Sequence, residues 1–209
     1  MSDDVNKLFD DATGGESLFI PDGSSLKQSK SSSAPNVAGD FLGHLSEAST
    51  REVSWTRGDN NYKATVYNFV FIVADENKTN KYKTDRGTYS GKEYVGRTYR
   101  SQGIFKMLEP KEGDDFVSDS KSNQSYYLFC ESLGVECPEK TIEIDGKEIK
   151  AKQLPSLSSE DINGKAVIGV INKGKPYTNN EGKSITPSVV KFTKRWEGGK
   201  EKTDDDIPF

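Results

Sequence analysis

The sequence predicts a mainly β domain with a single helix, and three observations lead to that prediction. Runs rich in β-branched and aromatic residues recur along the middle of the chain, separated by short polar and glycine-containing segments. One stretch has helical rather than alternating spacing and ends at a glycine. Hydrophobic residues make up only 32% of the 209 residues and charged residues 30%, so we expect a thin core with polar loops and ends.

The clearest strand covers residues 62–74, where β-branched and aromatic residues first alternate and then become continuous. This pattern is typical of a strand that is buried on both faces towards its end. The polar run at residues 75–77 closes it. A second extended region is predicted over residues 81–89, and a third strand over residues 93–108, with a turn at Ser90-Gly91 between them.

A helix is predicted after a loop at residues 110–115. Asp119 or Ser122 is the expected N-cap, and the apolar positions run on to Leu133. Gly134 follows the last apolar residue, where a glycine commonly ends a helix.

Strands resume after the helix. Residues 141–150 alternate around Asp145-Gly146, a dipeptide favoured in two-residue hairpin turns. Two more strands are predicted at residues 166–171 and 188–192, joined by a polar loop. Three strands, a helix and further strands follow the element order of an OB-fold, a small barrel that binds oligonucleotides across one face. We therefore expect an OB-fold-like barrel with one helix.

Charge divides the chain into three segments. The net charge is -4, but residues 1–40 and 197–209 are both acidic, so the body between them is mildly basic. The Ser-rich part of the first segment is too polar to form a core. We predict a flexible acidic arm at 1–40, a binding domain at 41–196 and an acidic protein-docking tail at 197–209, with no internal repeat.

Composition argues against several classes of protein. A tetrahedral zinc site needs about four Cys or His ligands, and the chain has only Cys130, Cys137 and His44. A catalytic triad would depend on His44 alone, whose apolar neighbours favour a structural role. The acidic pairs Asp114-Asp115 and Glu160-Asp161 are more typical of solvated loops than of a magnesium-dependent nuclease. The acidic residues Asp3 and Asp4, where a signal peptide is basic, predict that the chain carries no signal peptide, and none of its apolar runs is long enough to predict a transmembrane helix. We expect a cytoplasmic, non-enzymatic protein with reduced thiols, no metal and no cofactor.

A basic and aromatic stretch covers residues 78–106. Cations neutralise phosphates, and aromatic rings stack on unpaired bases of any sequence, so this composition favours binding of single-stranded nucleic acid. If the face shared by Arg97 and Tyr99 points outward, the two form a phosphate-and-base unit. The alternative is that the tyrosines belong to the core and the cations only keep a hairpin soluble. The candidate DNA-binding residues are Lys78, Lys81, Tyr82, Lys83, Arg86, Tyr89, Lys92, Tyr94, Arg97, Tyr99, Arg100 and Lys106, and Phe105 lies among them.

Three aromatic residues elsewhere are secondary candidates. Trp55 adjoins Arg57, and Trp196 follows two basic residues. Packing is the favoured role for each tryptophan. Tyr177 follows Lys173 and Lys175 in the polar loop, and packing and stacking are evenly balanced for it.

The C-terminal hexapeptide has the composition of a docking peptide, in which carboxylates meet a basic patch and an apolar residue enters a pocket. Its residues are Asp204, Asp205, Asp206, Ile207, Pro208 and Phe209. It resembles the acidic tip of the single-stranded DNA-binding proteins of bacteria and their phages, which recruits replication, recombination and repair enzymes. The chain lacks the opening strand-forming segment and the long Gly/Gln/Pro-rich linker of the bacterial members, so the resemblance implies a diverged phage member.

These observations together predict a protein that binds and protects single-stranded DNA without sequence specificity in replication or recombination. Its tip is expected to recruit a polymerase, a helicase-primase or a nuclease. We do not expect the protein to bind a membrane. A strand-annealing recombination mediator and a replication adaptor that touches no DNA are the alternatives. The oligomeric state and the choice between DNA and RNA stay open.

Overall fold

The structure is a computed structural model that describes residues 35–108, 123–144 and 146–202. Within these ranges the chain is mainly β with one α-helix, as the sequence predicts. No helix in them is both long and apolar enough to cross a membrane. The elements are β1 (Gly39–Arg57), β2 (Asn60–Val73), a 3₁₀ helix (Asp75–Thr79), β3 (Lys81–Thr84), β4 (Gly87–Ser90), a second 3₁₀ helix (Gly91–Glu93), β5 (Thr98–Arg100), β6 (Ile104–Leu108), α1 (Gln124–Leu133), β7 (Glu139–Ile144), β8 (Lys147–Lys152), β9 (Ala166–Lys173), β10 (Tyr177–Thr178), β11 (Ser184–Ile185) and β12 (Ser188–Arg195).

One six-stranded sheet forms the body. Its strand order is β12-β9-β1-β2-β5, and β6 also pairs with β2. The edges of this sheet meet at a single parallel bridge between Ser101 and Val190, beside which the Gln102 N–H donates to the Val190 carbonyl at 3.1 Å. Apart from this contact, no ladder joins the two edges in the ranges that the structure describes, so the closed OB-type barrel stays a prediction.

The core lies on the inner face of this sheet. Alternation along β2 directs Phe69 and Phe71 inward, and Phe69 stacks on Phe129 of α1 with ring centroids 5.4 Å apart. Glycines allow the Phe71 ring to lie against two neighbouring strands. A Cβ atom would come within 2.4 Å of that ring at Gly43 and within 2.8 Å at Gly169. The Phe71 ring therefore lies so close to β1 and β9 that Gly43 and Gly169 have room for a hydrogen but not for a Cβ atom.

Most predicted elements are confirmed. α1 ends at Gly134, which adopts the left-handed conformation with φ 74°. The predicted caps Asp119 and Ser122 lie outside the described residues. The predicted loop before the last strand contains the short β10–β11 hairpin. The confirmed strands are 62–74 as β2, 141–150 as the β7–β8 hairpin, 166–171 as β9 and 188–192 as β12.

The central strand β1, 19 residues long, is missing from the sequence prediction. Its middle is polar, and a β-bulge between Ser46 and Ser49 puts Glu47 at φ 49°. Because the bulge shifts the alternation, no regular apolar pattern marks this strand. Hydrogen bonding to β2 on one side and β9 on the other stabilises it instead.

The prediction of one strand over residues 93–108 is wrong. Gly96 and Gly103, with φ of 76° and 86°, lie in the breaks that separate the second 3₁₀ helix, β5 and β6. Backbone in this left-handed region favours glycine and interrupts a strand. Residues 81–89 likewise form the β3–β4 hairpin rather than one extended segment.

The body extends further at both ends than the sequence predicts. Val37 is buried, and Asp40 already belongs to β1. At the other end, the Lys202 N–H donates to the Gly164 carbonyl at 3.0 Å. Residues 35–40 and 197–202 therefore pack on the body. The remainder of the predicted arm and the whole C-terminal hexapeptide lie outside the described residues.

Candidate nucleic-acid interface

Three of the four predicted stacking tyrosines are core residues. Tyr82, Tyr94 and Tyr99 expose only 8%, 0% and 6% of their surface, and all three rings pack around Phe41. Burial raises the pKa of each hydroxyl. Tyr89 is partly buried against the same core. The interpretation of Tyr82, Tyr94 and Tyr99 as base-stacking residues is therefore wrong, because their rings are buried in the core around Phe41 and are not open to a base.

These tyrosines anchor a projection that we call the basic arm, residues 75–93. Its base is held by Asn77, which is fully buried. The Asn77 Oδ1 accepts from the Leu42 N–H at 3.0 Å and from the Tyr82 hydroxyl at 2.9 Å, while Nδ2 donates to the Leu42 carbonyl at 2.7 Å. A Cβ atom at Gly91 would lie 1.8 Å from the Asn77 carbonyl. The base of the arm is therefore tightly fixed to β1.

The cations of the basic arm face solvent. Its carboxylates include Asp75, which pairs with Lys78 at 2.6 Å, and Asp85 at the tip, which pairs with Lys173 at 3.1 Å. Both pairs are solvent-exposed, and such pairs contribute only about 0–1 kcal/mol, so a phosphate can replace either carboxylate at little cost. The exposed cations are Lys78, Lys81, Lys83, Arg86 and Lys92.

The three remaining predicted cations lie in different environments. Arg100 is exposed on β5, and Arg97 lies 4.8 Å above the Tyr94 ring. The Lys106 ammonium donates to the Pro155 carbonyl at 3.2 Å and to the Ser156 hydroxyl at 3.0 Å. Burial lowers the pKa of Lys106. Its ammonium is thus engaged in holding a loop, and its role in phosphate binding stays a prediction.

Sequence reasoning did not assemble an aromatic cluster formed by Trp55, Tyr62 and Phe105, which we call the outer-face cluster. Trp55 and Tyr62 are cross-strand partners on β1 and β2, with ring centroids 5.7 Å apart and planes 16° apart. Phe105 on β6 meets Trp55 edge-on at 6.5 Å. Trp55 is 38% exposed and Phe105 41% exposed. Three rings therefore lie together at the solvent side of three strands.

Strand register places two arginines on the same face. Phe69 and Phe71 point into the core, so the even-numbered positions of β2 lie on the opposite face of the sheet, where Ala64 and Val66 are themselves buried. Arg51 pairs with one of these positions and Arg100 with another, Val66 and Val70 respectively. Both arginines are exposed. Flat rings beside guanidinium groups can stack on bases while the cations hold phosphates.

Comparison with family models, with curated proteins and with solved structures finds no match for this chain. The resemblance of the C-terminal hexapeptide therefore stays a prediction. In the described ranges, no three His, Cys, Asp or Glu side chains are grouped so as to hold a metal ion.

The outer-face cluster had one overlooked signal in the sequence. Gly58-Asp59 separates Trp55 from Tyr62, and a Gly-Asp pair between two strands favours a tight hairpin. A two-residue turn at Gly58-Asp59 predicts that Trp55 and Tyr62 are cross-strand neighbours, as the structure shows. Phe105 joins them only through the pairing of β6 with β2, which no local pattern indicates.

The other secondary candidates differ in exposure. Trp196 is partly buried, and its ring meets the His44 ring edge-on at 5.7 Å, which agrees with the favoured packing role. Tyr177 on β10 is 54% exposed. Only Tyr177 of these two therefore offers a large open face.

Proposed function

We propose that this protein binds single-stranded DNA without sequence specificity and protects it during replication or recombination. The observation that carries the proposal is the outer-face cluster, with Arg51 and Arg100 on the same face. Base stacking on aromatic side chains contributes about 1–3 kcal/mol per base, and every base has a ring face to offer. Such a surface favours unpaired strands because a duplex hides those faces.

The basic arm supports the same proposal through its charge. Five exposed cations lie on a projection whose base is held by Asn77, so the backbone that carries them loses little freedom when phosphates bind. Each phosphate that they neutralise releases counterions, which makes affinity fall with salt. The basic arm therefore increases the affinity for nucleic acid, and the outer-face cluster provides the preference for single strands.

Recruitment of other proteins is the second part of the proposal. It rests on the sequence of Asp204–Phe209, whose carboxylates and apolar residues suit a basic, apolar pocket on a polymerase, helicase-primase or nuclease. The protein then acts as a non-enzymatic organiser of these partners. With DNA as its ligand, we place it in the cytoplasm, that of the host if a phage encodes it.

The deciding experiment is a titration of the full chain against a fluorescent oligo-dT of about 20 nucleotides and against a duplex of equal length. This length exceeds the number of nucleotides that a single OB-fold usually covers. Binding to the single strand that weakens with salt, with poor duplex binding, is the expected result. Equal binding to both would overturn the proposal. Binding to neither would favour an adaptor that acts through its tail alone.

A further inference from the structure

The most exposed of the large apolar side chains in the described ranges is Tyr177, which lies on a different element from the outer-face cluster. It starts β10, in the short hairpin that joins β9 to β12. An exposed aromatic ring on a hairpin that also carries the exposed Lys175 and Lys183 has the same chemistry as the proposed DNA-binding surface.

This hairpin has a defined backbone. The Asn179 Oδ1 accepts from the Glu181 N–H at 3.1 Å and from the Lys183 N–H at 2.9 Å. At the base of the hairpin, the Gly174 N–H donates to the Pro187 carbonyl at 2.7 Å. Because these bonds order the loop in advance, little conformational entropy is lost when a ligand meets the Tyr177 ring.

An ion pair brings the basic arm to the base of the same hairpin. Asp85 lies in the β3–β4 turn and Lys173 is the last residue of β9, and their side chains meet at 3.1 Å. Glu181 is the hairpin's own carboxylate and pairs with Lys183 at 3.0 Å. Exposed cations of the β3–β4 hairpin and of the segment from the end of β9 to β11 are Lys81, Lys83, Arg86, Lys173, Lys175 and Lys183.

We propose that the basic arm and the β10–β11 hairpin form a second contact for single-stranded DNA, in which Tyr177 stacks on a base. The exposed cations of the two hairpins bind neighbouring phosphates of the same strand, and a phosphate replaces Asp85 at Lys173. This inference rests on the proposed function and adds to it a second point of contact, so a long strand meets two aromatic sites and a short strand only one. Affinity then depends on oligonucleotide length through Tyr177.

The test compares Tyr177→Ala and Tyr177→Phe with the unaltered full chain on two lengths of oligo-dT, about 5 and about 20 nucleotides, which bracket common site sizes. Tyr177→Ala should weaken binding of the long strand about tenfold and leave the short strand unchanged. Tyr177→Phe keeps the ring and should match the unaltered chain. Trp55→Ala should weaken binding of both lengths.

The outcomes separate the two proposals. If the unaltered chain binds single strands but Tyr177→Ala has no effect on the long strand, the second contact is refuted and the proposed function stands. If the unaltered chain binds no single strand, both are refuted. Photocrosslinking to 5-iodouracil in the long strand gives an independent readout: adducts at Tyr177 are expected, and adducts confined to the outer-face cluster would refute the second contact.

Discussion

Tyr82 stacks face to face on Phe41, with ring centroids 3.9 Å apart and planes 11° apart. Tyr82 belongs to the basic arm and Phe41 to the central strand β1, so this pair joins the projection to the middle of the sheet. The Tyr82 hydroxyl donates to Asn77, the buried residue that also bonds β1. Part of the aromatic content of the basic stretch therefore fixes the arm, and its cations stand on a rigid base.

Removal of the Tyr82 ring should destabilise the fold. Tyr82→Ala leaves a cavity against Phe41 and removes one of the two hydrogen bonds to the Asn77 Oδ1. Loss of a buried aromatic ring costs about 3–5 kcal/mol of unfolding free energy. Tyr82→Phe keeps the stack and loses the hydrogen bond, so we expect a loss of about 1 kcal/mol. Urea unfolding followed by circular dichroism measures both. Equal effects of the two substitutions would contradict the importance of the stack.

Substitutions in the outer-face cluster should weaken DNA binding more than they weaken the fold. Trp55→Ala and Phe105→Ala each remove a part-exposed ring, and we expect each to reduce affinity for oligo-dT by about tenfold. Leu128→Ala is the matched control, because Leu128 is 42% exposed on α1 rather than on this face. Fluorescence anisotropy measures affinity. An equal loss in the control variant would argue against a specific role for the cluster.

Asp85→Asn should strengthen binding at low salt. The substitution removes the carboxylate that pairs with Lys173, so a phosphate no longer has to displace it. An exposed ion pair contributes up to about 1 kcal/mol, so affinity for oligo-dT should rise roughly two- to fivefold. Glu148→Gln, on the separate β7–β8 hairpin, makes the same charge change and should leave the affinity unaltered. Fluorescence anisotropy at low salt measures both variants, and an equal change in the two would contradict phosphate binding at Lys173.

Stability should depend on pH through His44. Its Nε2 atom lies 3.0 Å from the Lys200 carbonyl, and burial lowers its pKa below the ordinary value of 6.5. The unfolded chain therefore takes up this proton at a higher pH than the folded chain does. The free energy of unfolding should be constant above pH 6.5 as far as His44 is concerned, and should fall as pH drops from 6.5 towards the lowered pKa.

His44→Gln provides the control for this effect, because glutamine can donate to the carbonyl but does not titrate. Urea unfolding between about pH 5 and 8 spans the ordinary range of a histidine. The difference in unfolding free energy between the two proteins should shrink or reverse as pH falls. A constant difference across this range would exclude His44 as the source.

Local patterns in the sequence determine most elements of this protein and the distribution of its charge. β2, the β7–β8 hairpin, β9 and α1 are predictable because alternation, a turn dipeptide and a helix-ending glycine act over a few residues. The position of the cations at residues 78–92 follows from the sequence in the same way. What this reading misses is β1, where a β-bulge interrupts the alternation.

Only the tertiary structure decides which aromatic rings reach solvent. Tyr99 looked like a partner of Arg97, but it pairs with Phe71 and so faces the core. Trp55 and Phe105 belong to strands far apart in the chain, and both come to one face because β1 and β6 pair with β2 in a particular register. Pairing register depends on contacts between distant segments, and a shift by one residue turns every side chain to the opposite face.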